Sequence, residues 1–355
     1  MVRLFGRDLD GSGPPLVVAE LSANHRHDLE VALESIRVAA ECGVDAVKFQ
    51  HFTPDGLTVK GDHPDLRVAS GSPWENRTLH DLYVEAAMPW EWTIALVEEA
   101  SRAGVSWFSS PFGVDAVDFL VANGVEAIKI ASFELVDLPL IRHAASSGLP
   151  LVISTGMAST AEVDAAISAA GDEGNTNVVL LRCNSTYPAS PSEMDLTTIL
   201  DMKSRWSVPV GLSDHTTNST SAVVATALGA CLIEKHFILD RSLGGPDAPF
   251  SLEPDQLRDL VRSVNEAHSA LGSVRYGPSD NERASLQFRR SLRALRDIDT
   301  GELVTSGNVG SRRPAGGMAP DRLEVVLGRR AVRSIRQGEP ILESDVDLTN
   351  DGRSS

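Results

Sequence analysis

The sequence predicts a (β/α)8 TIM barrel followed by a small β-rich domain, and three observations predict it. Eight short apolar runs recur early in the chain, with amphipathic stretches between most of them. Glycines close many of those stretches (Gly43, Gly104, Gly124, Gly148, Gly229), as expected where helices end. Beyond residue 283 the pattern changes to short strands and turns with an internal echo.

The strand candidates are 16–19, 46–49, 106–108, 127–130, 151–153, 178–181, 208–212 and 231–233, and the helix candidates include 29–40, 91–103, 114–123, 162–170 and 221–228. Eight such units over about 250 residues fit a closed barrel better than an open sheet. No GxGxxG follows the first strand, which lowers a dinucleotide-binding reading. The segment 53–89 is richer in polar and turn residues and is expected to be an elaborated loop over the barrel mouth.

The expected organisation is a catalytic barrel at 1–271, a linker at 272–283, the β-rich domain at 284–350 and a tail at 351–355. In the second domain, ALRDIDTGELVTSGNV (294–309) is echoed by AVRSIRQGEPILESDV (331–346), so two related halves are expected.

Composition excludes several function classes. The net charge of -17 argues against nucleic acid or an anionic membrane as partner. There is no secretory pattern and no apolar run of spanning length. Three widely spaced cysteines fit reduced thiols in a cytoplasmic protein. Charge is uneven: residues 284–355 carry 12 Lys and Arg against 10 Asp and Glu, so this end is comparatively basic.

In a barrel, chemistry collects where the strands end. Here those ends carry Glu20, Ser22, Asn24 and His25; Lys48 and Gln50; Ser109 and Ser110; Lys129, Ser132 and Glu134; Ser154 and Thr155; Arg182, Cys183, Asn184 and Ser185; Ser213, Asp214 and His215; Glu234, Lys235 and His236. One such serine is an ordinary turn residue. All eight strands behaving this way describes a site, and lysines among many hydroxyls suit a phosphate or carboxylate. His215 and His236 end adjacent strands and either share a metal or divide into a general base and a structural imidazole. Lys129 is also a possible Schiff-base nucleophile on position alone.

At this point the residues are recognisable. AELSANH (19–25), VKFQ (47–50), FSSPF (108–112), IKIASFE (128–134), STGM (154–157), CNSTYP (183–188), GLSDHT (211–216), IEKHF (233–237) and GPDAPFSLEP (245–254) resemble the sialic acid synthase family over nearly the whole chain. The C-terminal part resembles that family's SAF, or antifreeze-like, domain, with SRRPAGG (311–317) as its arginine-proline motif. AELSANH, the stretch 74–83 and Phe250 place the resemblance nearest the pseudaminic acid synthase branch. Two departures stand out: Asn184, where the family usually has threonine, and Ala248, where neuraminate synthases usually carry histidine.

The resemblance implies condensation of phosphoenolpyruvate with an open-chain N-acetylated amino sugar, of the 2,4-diacetamido-2,4,6-trideoxy-altrose type, giving pseudaminic acid. It implies Mn2+ or Mg2+ held by His215 and His236, which with Glu20 are the catalytic residues. Lys48, Ser110, Lys129, Ser132, Ser154 and Ser213 would hold phosphoenolpyruvate. Glu20 and Asp247 would meet the sugar, with Glu134, Ser185 and Tyr187 in the substrate site. Arg313 would reach a partner subunit's barrel, implying a domain-swapped homodimer. The alternatives are an N-acetylneuraminate or legionaminate synthase, a Schiff-base lyase, and a non-catalytic sugar-binding protein.

Overall fold

The computed structural model describes residues 2–68 and 74–349. The tail 351–355 and the middle of the 53–89 segment lie outside the described residues. The chain divides into two compact units, Met1–Gly272 and Ser273–Ser355.

In the first unit a short hairpin, β1 (Arg3–Leu4) with β2 (Arg7–Asp8), precedes eight parallel strands. These are β3 (Leu16–Glu20), β4 (Ala46–His51), β5 (Ser106–Pro111), β6 (Ile128–Ile130), β7 (Leu151–Ser154), β8 (Val178–Cys183), β9 (Val210–Asp214) and β10 (Leu232–His236). They pair in sequence order and close through β10 and β3. Most of them run past the apolar cores that predict them, because their polar last residues still pair in the ladder. Glu20 sits beside both Lys48 and His236, and Glu234 sits beside Ser213.

Side chains alternate along a strand, so Leu16, Val18 and Glu20 share the inner face, as do Lys48 with Gln50 and Glu234 with His236. The lower interior is apolar. Gly211 belongs to it: a Cβ there would overlap the backbone carbonyl of Leu232 and come within 2.7 Å of Leu181 Cδ2, so glycine lets the neighbouring strand and that leucine approach. At the base, Phe5 of the hairpin packs on the fully buried Phe108, ring centroids 5.2 Å apart.

The outer helices begin with side-chain caps where the loops allow. Asp28 accepts from Glu30 N and Val31 N to start Leu29–Glu41, and Ser159 with Glu162 forms a capping box at Thr160–Asp172. Each such cap contributes about 1 kcal/mol. No helix among the described residues is long and apolar enough to cross a membrane.

The second unit has its own core, including Leu292, Ile298, Val304, Val309, Ile335 and Ile341. Among the described residues its regular strands are two, β11 (Ser291–Ala294) and β12 (Val309–Arg312), paired antiparallel. The echo in the sequence, Ala294 to Ala331, becomes pairing between the halves. Ile298 and Ile335, at equivalent positions, exchange both backbone hydrogen bonds. Ala294 N donates to Glu339 O, and its counterpart Ala331 N donates to Glu302 O. The ion pairs Arg296–Glu302 and Arg333–Glu339 are likewise equivalent, at 2.6 and 2.9 Å. The unit is therefore an approximate two-fold repeat folded on itself, which explains how so little regular strand holds a core.

Candidate active site

The C-terminal end of the barrel gathers two buried lysines and two buried carboxylates. Lys48 forms a close ion pair with Glu20, lies 3.7 Å from Glu234 Oε1 and donates to Ser110 Oγ at 3.2 Å. Lys129 donates to Ser154 Oγ at 2.6 Å and to Ile130 O at 3.1 Å. Ser213 donates to Glu234 Oε1 at 3.3 Å, while Glu234 Oε2 is buried without a hydrogen-bond partner. Gln50 donates to Glu20 Oε1 and Ser22 Oγ at 3.0 and 2.9 Å, and Ser22 in turn bonds Asp247.

Burial works on these charges unequally. It pushes Glu20 up to about 7, against the pull of Lys48. It also raises Glu234, but Lys48, Lys129 and His215 outweigh it and hold that carboxyl below its usual range. Burial lowers Lys129, whereas Lys48 is raised because Glu20 and Glu234 overcome the same penalty. The distinction follows from the number of carboxylates each ammonium meets.

Beside this group stand His215 and His236, ring centroids 5.4 Å apart. His215 Nδ1 meets Asn184 O at 2.7 Å, an arrangement that leaves Nε2 for a ligand. His236 Nδ1 is buried without a hydrogen-bond partner, 3.8 Å from Asp247 Oδ2. Burial, followed by His215 and Lys48, drives His236 well below its usual range, so the imidazole is neutral. These features fit a divalent cation. Among the described residues no cluster of three or more His, Cys, Asp or Glu is arranged to hold a metal, so water or substrate would complete the coordination.

An aromatic wall covers the histidines. Tyr187 lies 4.3 Å from the His215 ring centroid, and Phe250 lies 4.9 Å from that of His236. Trp74, from the 53–89 segment, packs on both Tyr187 and Phe250 and donates through Nε1 to Pro246 O at 2.7 Å. Across the mouth, Gly156 N donates to Ser132 Oγ at 3.2 Å. A Cβ on Gly156 would stand 2.7 Å from that oxygen and would also overlap Ser185 Oγ, so the glycine lets three loops meet. Glu134, half-buried next to Lys129, is pushed up to about 7 by burial, and its Oε2 has no hydrogen-bond partner.

The structure thus brings together Glu20, Lys48, Ser110, Lys129, Ser132, Glu134, Ser154, Ser185, Tyr187, Ser213, His215, His236 and Asp247. Arg313 lies in the other unit, exposed. Glu234, Gln50, Ser22 and Phe250 belong to the site although no role was assigned them from sequence. The two-residue spacing of Glu234 from His236 and of Gln50 from Lys48 was the available signal. Asn24 and His25, also at a strand end, serve the scaffold instead. Asn24 Nδ2 donates to Phe237 O and Ser251 Oγ at 2.8 Å each, and His25 packs edge-on against Trp92.

Fold and site define a (β/α)8 barrel whose mouth gathers buried lysines, carboxylates and hydroxyls beside a pair of histidines. The chain belongs to the NeuB family, which residues 35–276 match, and residues 289–347 match the SAF domain. It is 40% identical to the pseudaminic acid synthase of Campylobacter jejuni, over 93% of this chain and 96% of that protein. It is 36% identical to the N,N'-diacetyllegionaminic acid synthase of Legionella pneumophila, over 93% and 94%. Among solved structures, the N-acetylneuraminic acid synthetase of Leptospira borgpetersenii in complex with citrate superposes with a TM-score of 0.69. The match covers 77% of this chain and 90% of that one at 31% identity.

Proposed function

We propose that the protein condenses phosphoenolpyruvate with an open-chain 2,4-diacetamido-2,4,6-trideoxy hexose and water, giving pseudaminic acid and phosphate. The observation that carries this is the cradle of Lys48, Lys129, Ser110, Ser154 and Ser213 beside the two histidines. The relatives' names support it.

In the reaction, C3 of phosphoenolpyruvate bonds to the sugar's aldehyde carbon, water adds at C2, and phosphate leaves with the bridging oxygen. Lys48 and Lys129 fix the phosphate and carboxylate and neutralise them. Lys48 already pairs with Glu20 and lies near Glu234, so an arriving anion competes with those carboxylates for it, whereas Lys129 has no carboxylate bonded to it. Glu20, raised by burial, can take up a proton as that happens, and Glu20 and Glu134 are the candidates for moving protons at the sugar or the water. His215 and His236 would hold Mn2+ or Mg2+, which when bound supplies Lewis acidity at the aldehyde oxygen. Asp247, bonded to Ser22 and close to His236, orients the sugar hydroxyls. The wall of Trp74, Tyr187 and Phe250 suits a deoxy sugar with a methyl terminus better than a polyhydroxylated chain. Arg313 would meet an acyl group of the sugar from the C-terminal unit of a second subunit, in a domain-swapped homodimer.

A panel of N-acetylated amino sugars, with phosphoenolpyruvate and Mn2+, tests the substrate. The trideoxy diacetamido altrose isomer should turn over fastest and give pseudaminic acid by mass and proton spectrum. Preferred turnover of N-acetylmannosamine, or of the legionaminate precursor, would contradict it. For the metal, His236→Ala should lose calorimetric Mn2+ binding as well as activity while its melting temperature holds.

A further inference from the structure

The approximate two-fold of the C-terminal unit supplies an internal control for one arginine. Arg293 and Arg330 occupy equivalent positions in the two halves. Each reaches across to the turn glycine of the other half: Arg293 Nη1 donates to Gly338 O at 2.6 Å, and Arg330 Nη1 to Gly301 O at 2.7 Å. That shared bond belongs to the scaffold.

Arg293 then makes further bonds that, among the described residues, Arg330 does not. Its Nε donates to Pro314 O at 3.0 Å and its Nη2 to Ala315 O at 2.9 Å. Pro314 O also accepts from Ser291 Oγ at 2.8 Å, and Ala315 N donates to Gln287 O at 2.9 Å. Just beyond, a Cβ on Gly317 would fall 2.5 Å from Leu292 O and 3.0 Å from Ile341 O, so the loop lies directly against the backbone of both halves. The segment pinned in this way begins at Arg313, whose own side chain is exposed. Such fastening is more than a surface turn requires.

We infer that Arg293 is a positioning residue for substrate binding. Its guanidinium fork spans the two carbonyls that follow Arg313 and fixes the direction in which Arg313 is offered to the amino sugar. The inference rests on the assignment of Arg313 to that sugar. A planar fork with donors in fixed directions suits the task, and a lysine cannot reproduce it.

The test is steady-state kinetics on the full-length protein, with the sugar and phosphoenolpyruvate varied separately, for Arg293→Met, Arg330→Met, Ser291→Ala, Arg313→Ala and the double variant Arg293→Met/Arg313→Ala. Arg293→Met should raise KM for the sugar roughly tenfold, with KM for phosphoenolpyruvate within about twofold, since a small misplacement of a binding group has effects of that size. Arg330→Met should lower the melting temperature comparably and leave both KM values alone. Ser291→Ala, which removes the other donor to Pro314 O, should raise the sugar KM by a smaller factor, and it carries the test if Arg293→Met does not fold. In the Arg313→Ala background, adding Arg293→Met should have no further effect on the sugar KM. If Arg313→Ala raises the sugar KM while Arg293→Met and Ser291→Ala do not, or if the double variant is additive, the positioning role is overturned. If Arg313→Ala itself leaves the sugar KM unchanged, the assignment of Arg313 fails and the positioning role with it.

Discussion

On the outer side of the barrel's C-terminal end, Lys235 is fully buried between its strand and the loop after β9. Its ammonium donates to Asp214 Oδ2 at 2.7 Å, Thr216 Oγ1 at 3.1 Å and Asn218 O at 3.2 Å. On the inner side at the same end, Lys129 is equally buried, yet no carboxylate bonds it, and it donates only to a serine and a backbone carbonyl. Around it, Glu234 Oε2, Glu134 Oε2 and His236 Nδ1 all lack hydrogen-bond partners. The two regions share residue types and burial and differ in completeness. A finished network of three acceptors on one ammonium is scaffold. An isolated unpartnered atom, such as Asn24 Oδ1 or His25 Nε2, also occurs in the scaffold, but several ionisable groups with bonds left over around one ammonium are what a ligand site requires.

Removing the two lysines should break this comparison in opposite ways. Lys129→Met should cost about 10²- to 10³-fold in turnover, the scale of a lost charge-stabilising donor, with no loss of melting temperature. Lys235→Met should cost about 3 kcal/mol of stability, because Asp214 is left buried and unpaired, while activity per folded molecule persists. Adding Asp214→Asn should recover part of that stability. If the two effects are interchanged, completeness does not separate site from scaffold here.

A smaller effect sharpens the inner region. Glu134 is pushed up to about 7 by burial from an ordinary 4.5, with Lys129 pulling the other way. A carboxyl raised in the folded state contributes stability below its unfolded value and loses it as pH climbs through the folded one. The wild type should therefore lose melting temperature relative to Glu134→Gln between roughly pH 5 and pH 8, by a few degrees. A constant difference across that range would place the carboxyl in an ordinary solvated setting.

Much of this was legible in the residues. The eight strands were visible because buried parallel strands read as apolar runs, and their ends stood out because reactive residues followed each run. The inward or outward sense of those ends was harder to see. Lys129 and Lys235 look alike in sequence. Only the strand register, which sets Asp214 beside Lys235 and Glu234 beside Ser213, tells them apart. Glu234 stands among the strand-end residues in the sequence, but without the register nothing there gives it a role, although it lies two residues before His236 on one strand. The N-terminal hairpin was also not anticipated, since two-residue strands carry no periodicity. In the C-terminal unit the repeat was plain, but its meaning, reciprocal bonds such as those of Ile298 with Ile335, required coordinates. The aromatic wall needed them too, because Trp74, Tyr187 and Phe250 come from three distant loops.

The central claim is that the inner site holds phosphoenolpyruvate and releases its phosphate by C–O cleavage as the new carbon–carbon bond forms. The most direct measurement uses phosphoenolpyruvate labelled with oxygen-18 at the bridging position, together with the amino sugar and Mn2+, followed by phosphorus NMR. Inorganic phosphate should retain the label and form only when the sugar is present, in step with the nine-carbon product. Unlabelled phosphate, or phosphate released at the same rate without sugar, would contradict it.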